Sequence, residues 1–166
     1  MLLMIVGCSS VSEPEAIQTV NDEIVVIAED LTIPWTINKV DDTFYVSERG
    51  GAIVRIDSNS GEMERQKVNV SKEIAHIGEG GLLGFMLDPQ FEKNNEAFMY
   101  YSYESGEEIW NRMVKVKLVN GEWNEITSLL DDIPGGNIHN GGRLAIGPDN
   151  KLYATTGDAG IRNLSQ

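Results

Sequence analysis

Ile138-His139-Asn140-Gly141-Gly142-Arg143-Leu144-Ala145-Ile146-Gly147-Pro148-Asp149-Asn150-Lys151-Leu152-Tyr153-Ala154-Thr155-Thr156-Gly157-Asp158 reads as two short apolar strands, Arg143–Ile146 and Lys151–Thr155, on either side of a turn. In Gly147-Pro148-Asp149-Asn150 the proline presets φ, while Asp and Asn accept turn geometry. His139, one of only two histidines in the chain, stands at the mouth of the first strand. The two glycines after it let other backbone or a ligand come close, so the imidazole can stand at a rim instead of in a core. His139 is therefore the candidate base.

Outward from this hairpin the chain repeats itself. Phe44-Tyr45-Val46-Ser47, Met99-Tyr100-Tyr101-Ser102 and Leu152-Tyr153-Ala154-Thr155 each follow an apolar strand and a polar turn, and Tyr45, Tyr100 and Tyr153 recur at roughly 54-residue steps. That period suits a four-stranded propeller blade. In the first two units the pattern runs on into Ile53–Asp57 and Met113–Lys117, which alternate as half-exposed outer strands should. The remaining runs predicted as strands are Ile24–Ala28, Trp35–Val40, Thr43–Glu48, Ala52–Asp57, Glu64–Val68, Leu82–Leu87, Ala97–Tyr103, Arg112–Leu118 and Glu122–Leu130. Asp41-Asp42, Asn59-Ser60-Gly61, Asn94-Asn95 and Asn120-Gly121 supply turns. No long helical period interrupts them. The expected class is all-β, a β-propeller of which about two and a half blades are present. A six-bladed ring at this repeat takes roughly 320 residues, so the chain is expected to be the N-terminal part of one.

The chain has 166 residues, with 13 Lys+Arg against 26 Asp+Glu and a net charge of −13. Such acidity speaks against a nucleic-acid partner, because phosphate binding needs clustered positive charge. One cysteine permits no intrachain disulfide. That cysteine, Cys8, follows the apolar run Met1–Gly7 and precedes a Ser-, Glu- and Pro-rich segment, a junction resembling a bacterial lipobox in which Cys8 carries the lipid. The expected organisation is a lipoprotein-type signal over 1–8, a flexible tether over 9–22 and the propeller part over 23–166. The mature protein would be extracytoplasmic, anchored to a membrane at the cell surface or in the periplasm. No nucleotide-binding glycine loop and no Cys/His metal spacing occurs in the sequence.

Three blocks resemble the glucose/sorbosone dehydrogenase family, quinoproteins that oxidise sugars with pyrroloquinoline quinone (PQQ) on a six-bladed propeller. They are His139 to Leu144 with the Gly-Pro-Asp and Thr-Gly-Asp that follow, Gly78–Phe85 leading to Asp88-Pro89-Gln90-Phe91, and Ile33-Pro34-Trp35 leading to Val46–Arg49. The resemblance covers Leu31 to Asp158. It implies oxidation of an aldose at C1, hydride leaving for the quinone while His139 takes the hydroxyl proton. It also implies that Glu79, His139 and Arg143 contact PQQ, and that calcium is held mainly by ligands in later blades. The electron acceptor is left open.

Some readings stay divided. Ile138 stands where family members often place an acid, which resembles the sugar dehydrogenases of broader specificity. Glu79 is either a pocket-lining residue or a solvated loop acid. Arg143 either pairs with an acid such as Asp158 or is an exposed strand charge. His76 reads as a loop histidine, and Trp35, Trp110 and Trp123 as packing residues. Two other functions compete with the dehydrogenase: a non-catalytic extracellular propeller that binds protein or glycan, and a metal-dependent propeller lactonase.

Overall fold

The computed structural model describes residues 24–165, so Cys8 and the proposed tether lie outside it. Ten strands form two four-stranded antiparallel meanders and one hairpin. The first meander is β1 (Pro34–Val40), β2 (Thr43–Glu48), β3 (Ala52–Asp57) and β4 (Met63–Asn69). The second is β5 (Leu82–Leu87), β6 (Glu96–Ser105), β7 (Glu108–Val119) and β8 (Glu122–Pro134), and the hairpin is β9 (Gly141–Ile146) with β10 (Leu152–Thr156). These are β-propeller blades, and the repeat is real at the level of strands. Tyr45, Tyr100 and Tyr153 all lie on the second strand of their unit.

The turns form where the sequence places them. Asn120 and Gly121 both take positive φ, 52° and 80°, and join β7 to β8, the pairing an Asn-Gly hairpin turn requires. In the β9–β10 turn Gly147 N–H donates to Lys151 O and Asn150 N–H to Gly147 O. Two expectations are corrected. Ile24–Ala28 forms no strand: Ile24, Val25 and Val26 are exposed, and of this stretch Ala28 alone packs against Val46, Val54 and Ile56. An apolar run alone does not make a strand where no neighbouring backbone offers it a ladder. The stretches Ile53–Asp57 and Met113–Lys117, read as outer strands, belong to third strands; β4 and β8 are outermost. One four-residue helix, α1 (Phe91–Asn94), lies between β5 and β6, ended by Asn95 in the left-handed region.

The first two blades stack face to face around Trp123. Its ring meets Tyr45 and Phe85 edge-on, at 6.0 and 5.1 Å between centroids, and lies nearly parallel to Phe91 at 5.9 Å. The indole N–H donates to Gln66 Oε1 at 2.9 Å, so the one polar atom of a fully buried side chain is satisfied. Trp123→Ala should lower stability by about 3–5 kcal/mol through lost burial and the cavity left behind. A chemical-denaturation midpoint close to that of the parent chain would contradict this account of the core.

The first strands β1, β5 and β9 lie side by side. Asn38 ties β1 to β5, donating through Nδ2 to Phe85 O and accepting from Leu87 N–H. Between β5 and β9 the approach is close enough that a Cβ on Gly84 would sit 2.3 Å from Gly142 O. On β7, buried Arg112 pairs with Glu125 at 3.1 Å and Asp131 at 2.7 Å and donates to Ser71 Oγ, fastening the β4–β5 connection to the outer half of blade two. The blades are thus fixed, and their end loops meet at one rim.

Candidate active site

Three loops converge on His139. It lies in the β8–β9 connection with φ +58°, a left-handed conformation that histidine enters more readily than most side chains. Its N–H donates to Glu79 Oε2 at 2.8 Å, from the loop before β5. Its carbonyl accepts from Ala159 N–H at 3.2 Å, from the loop after β10. Gly157 lies so close that a Cβ there would be 1.6 Å from His139 O, so no other residue fits at 157 without moving the loop.

The side chain is oriented as well. Nδ1 stands 2.9 Å from Asp158 Oδ1. A carboxylate only accepts, so in the neutral ring Nδ1 carries the hydrogen and Nε2 keeps its lone pair. The Gly160 N–H on Asp158, followed by the His139 bond, holds that carboxyl below its ordinary value of 3.8 and keeps it ionised. The imidazole is more than half exposed and opens on a cleft shared with Thr156, Gly157, Asp158, Leu164 and Ser165. The arrangement holds an oriented imidazole, with Nε2 unbonded to any described residue, at a solvent-accessible rim.

The other expected residues divide. Glu79 comes to the site, but its Oε2 is occupied by the His139 backbone. Arg143 does not pair with Asp158, which already serves His139. Instead its Nη1 donates to Trp35 O at 2.8 Å and its guanidinium lies 5.4 Å from the Trp35 ring centre. His76 lies apart, beside Lys72, Glu73 and Glu104. Trp123, Trp110 and Trp35 are all packing residues, and Trp35 in addition takes two guanidinium groups against its ring.

One contributor was missed by sequence reasoning. Arg49 donates to Gly78 O and Gly80 O on either side of Glu79 and also lies 5.4 Å from the Trp35 ring. Its place at the end of the Val46–Arg49 block was the available signal. Asn140, which stands next to His139 within the His139–Leu144 motif, is buried.

The family model described as Glucose / Sorbosone dehydrogenase matches residues 31–166. The chain belongs to the glucose/sorbosone dehydrogenase family. Quinoprotein glucose dehydrogenase B of Acinetobacter calcoaceticus is 29% identical over 136 residues, covering 75% of this chain and 28% of that protein. Among solved structures, the PQQ-bound aldose sugar dehydrogenase of Streptomyces coelicolor superposes with a TM-score of 0.77 at 32% identity, over 86% of this chain and 43% of that one. The apo-form soluble aldose sugar dehydrogenase of Escherichia coli gives 0.70 at 22% identity over 86% of this chain and 42% of that one, which speaks for the fold alone. The chain therefore spans less than half the length of these proteins.

PQQ carries three carboxylates, and the residues on this rim can be weighed against it. Arg143 lines a separate cleft with Trp35, Phe85 and Leu144; it is exposed, spends one Nη on Trp35 O and has no carboxylate partner among the described residues, so it fits an anionic group there. His139 Nε2 fits the reacting face. Glu79 and Asp158 are acids already committed to His139 and offer the carboxylates no attraction. Among the described residues no three of His, Cys, Asp and Glu are grouped to hold a metal ion.

Proposed function

We propose that the protein containing this chain is a PQQ-dependent sugar dehydrogenase that oxidises an aldose at C1. The observation that carries this reading is the His139–Asp158 pair, which leaves Nε2 as an unprotonated acceptor at an open rim. PQQ, when bound, supplies the quinone that accepts hydride. His139 Nε2 takes the proton of the C1 hydroxyl as the C1–H bond gives up its electron pair, and the sugar leaves as the lactone. Asp158 accepts the Nδ1 hydrogen throughout and stabilises the imidazolium that forms. Arg143 would hold a PQQ carboxylate.

The test is reduction of an electron-accepting dye by the full-length protein with a panel of aldoses. Turnover is expected with PQQ and should fall to background when PQQ is withheld. A folded full-length protein that reduces no dye with PQQ and calcium present would overturn the reading and leave the rim as a binding surface for protein or glycan.

A further inference from the structure

His139 rides on a loop closed by a single side chain. Asn140 donates through Nδ2 to Gly136 O at 2.7 Å and accepts at Oδ1 from Gly136 N–H at 3.0 Å, so its amide pairs with both polar groups of one backbone residue. The five residues from Gly136 to Asn140 become a closed ring with Asn137, Ile138 and His139 as its free arc. This ring is bolted to blade two from inside. Asn111 Nδ2 on β7 donates to Asn140 Oδ1 at 3.1 Å, and Tyr100 OH on β6 donates to Asn140 O at 3.0 Å. Ser102 Oγ lies 2.6 Å from Asn111 Oδ1 and, with that oxygen accepting, fixes which way the Asn111 amide faces.

Asn140 is 3% exposed, and Tyr100, Ser102 and Asn111 are 0% exposed. A buried polar network of this kind is costly unless every member is satisfied, and a β-sheet has no need of one at its blade face. Its members lead to one place. The bonds from Gly136, Asn111 and Tyr100 act on the residue directly after His139, and Asn111 Nδ2 also holds Pro134 O at 3.0 Å at the start of the same loop, while the partners of His139 itself come from the other two loops. The network therefore sets the position of the base from a rigid blade, and the loops set its orientation.

We propose that Asn140 is the positioning residue of the site, an amide clasp that, held by Asn111 and Tyr100, keeps His139 within reach of Asp158. The inference rests on His139 being the base, and its test does not depend on turnover. With only two histidines in the chain, His76→Gln leaves one imidazole, whose two nitrogens can be read by 15N NMR on the full chain. The indole N–H of Trp123, bonded to Gln66 in a different cluster, serves as an independent marker of folding.

In the parent chain the neutral His139 should show a single form protonated at Nδ1. Asn140→Ala should convert it to an averaged mixture of the two neutral forms while the Trp123 signal stays in place. In the full-length enzyme the same change should lower kcat on the order of 10²-fold with little change in KM, the effect of a misplaced reacting group. An unaltered His139 signature in Asn140→Ala overturns the proposal. If that variant loses the Trp123 signal, Asn111→Ala decides, since it leaves the Asn140–Gly136 ring closed and removes the Asn111 bonds to Asn140, Pro134 and Ser102. A disturbed imidazole beside an intact Trp123 signal upholds positioning. An unchanged imidazole, or loss of both signals, overturns it.

Discussion

His139→Ala is expected to lower dye-reducing turnover of the full-length enzyme by about 10²–10⁴-fold, the usual contribution of a positioned general base. No other described side chain stands ready to replace it. The acids nearest to it, Glu79 and Asp158, are engaged with its own backbone and ring. Stability should change little, because the imidazole is more than half exposed and belongs to none of the hydrophobic clusters. The backbone at 139 is left-handed, a conformation in which alanine is strained but asparagine is tolerated. His139→Asn is therefore the cleaner partner variant, and it should lose turnover equally while keeping the thermal midpoint. Undiminished turnover in either variant would remove His139 from the chemistry.

The second large effect is expected at Asp158. Asp158→Asn preserves size but offers Nδ1 an amide that can donate as well as accept. The form of the ring protonated at Nε2 then becomes available, and that form has no lone pair facing the rim. Loss of an orienting carboxylate through the wrong tautomer can cost up to about 10⁴-fold in kcat in a histidine-base enzyme. The pH dependence has a defined sign. The Gly160 N–H, and then the His139 bond, hold the Asp158 carboxyl below 3.8 in the folded protein. Its contribution to holding the loops is therefore complete above the unfolded carboxylate's value and disappears only as pH falls through the lower folded one. Activity lost on acidification to pH 5 is not lost by protonating Asp158. Asp158→Asn should depress kcat across the range above pH 5, and a variant with parental kcat at pH 7 would show that Asp158 does not orient the base.

Much of the blade architecture was legible because its signals are local. Alternation, an Asn-Gly turn and a tyrosine recurring at a fixed interval each state what a strand or hairpin does with its neighbours in sequence. Ile24–Ala28 shows the limit, since its β-like composition says nothing about whether a partner ladder lies beside it. The site was legible by residue and not by contact. His139, Glu79, Arg143 and Asp158 all stand out in the sequence, yet spacing alone allows Asp158 to pair with Arg143 when it serves His139. Both partners stand within twenty residues of Asp158, and only the course of the loop after β10 decides between them. The Asn140 clasp was illegible, because an asparagine beside a glycine pair reads as turn chemistry wherever it occurs. Cys8 and the membrane anchor proposed for it lie outside the described residues.

The seam between the first two blades has a kinetic consequence. β4 and β8 share only two parallel residue pairs, Val68 with Trp123 and Asn69 with Asn124, whereas β6 and β7 are paired along their whole length. Nearly every ladder bond thus closes between strands adjacent in sequence, and what crosses from blade to blade is mainly side chain. Each meander can form early at low loop-closure entropy, with stacking around Trp123 following as a separate event. Amide exchange should then divide along that seam, with the ladders inside a meander protected as one unit and the β4–β8 bridge opening ahead of them.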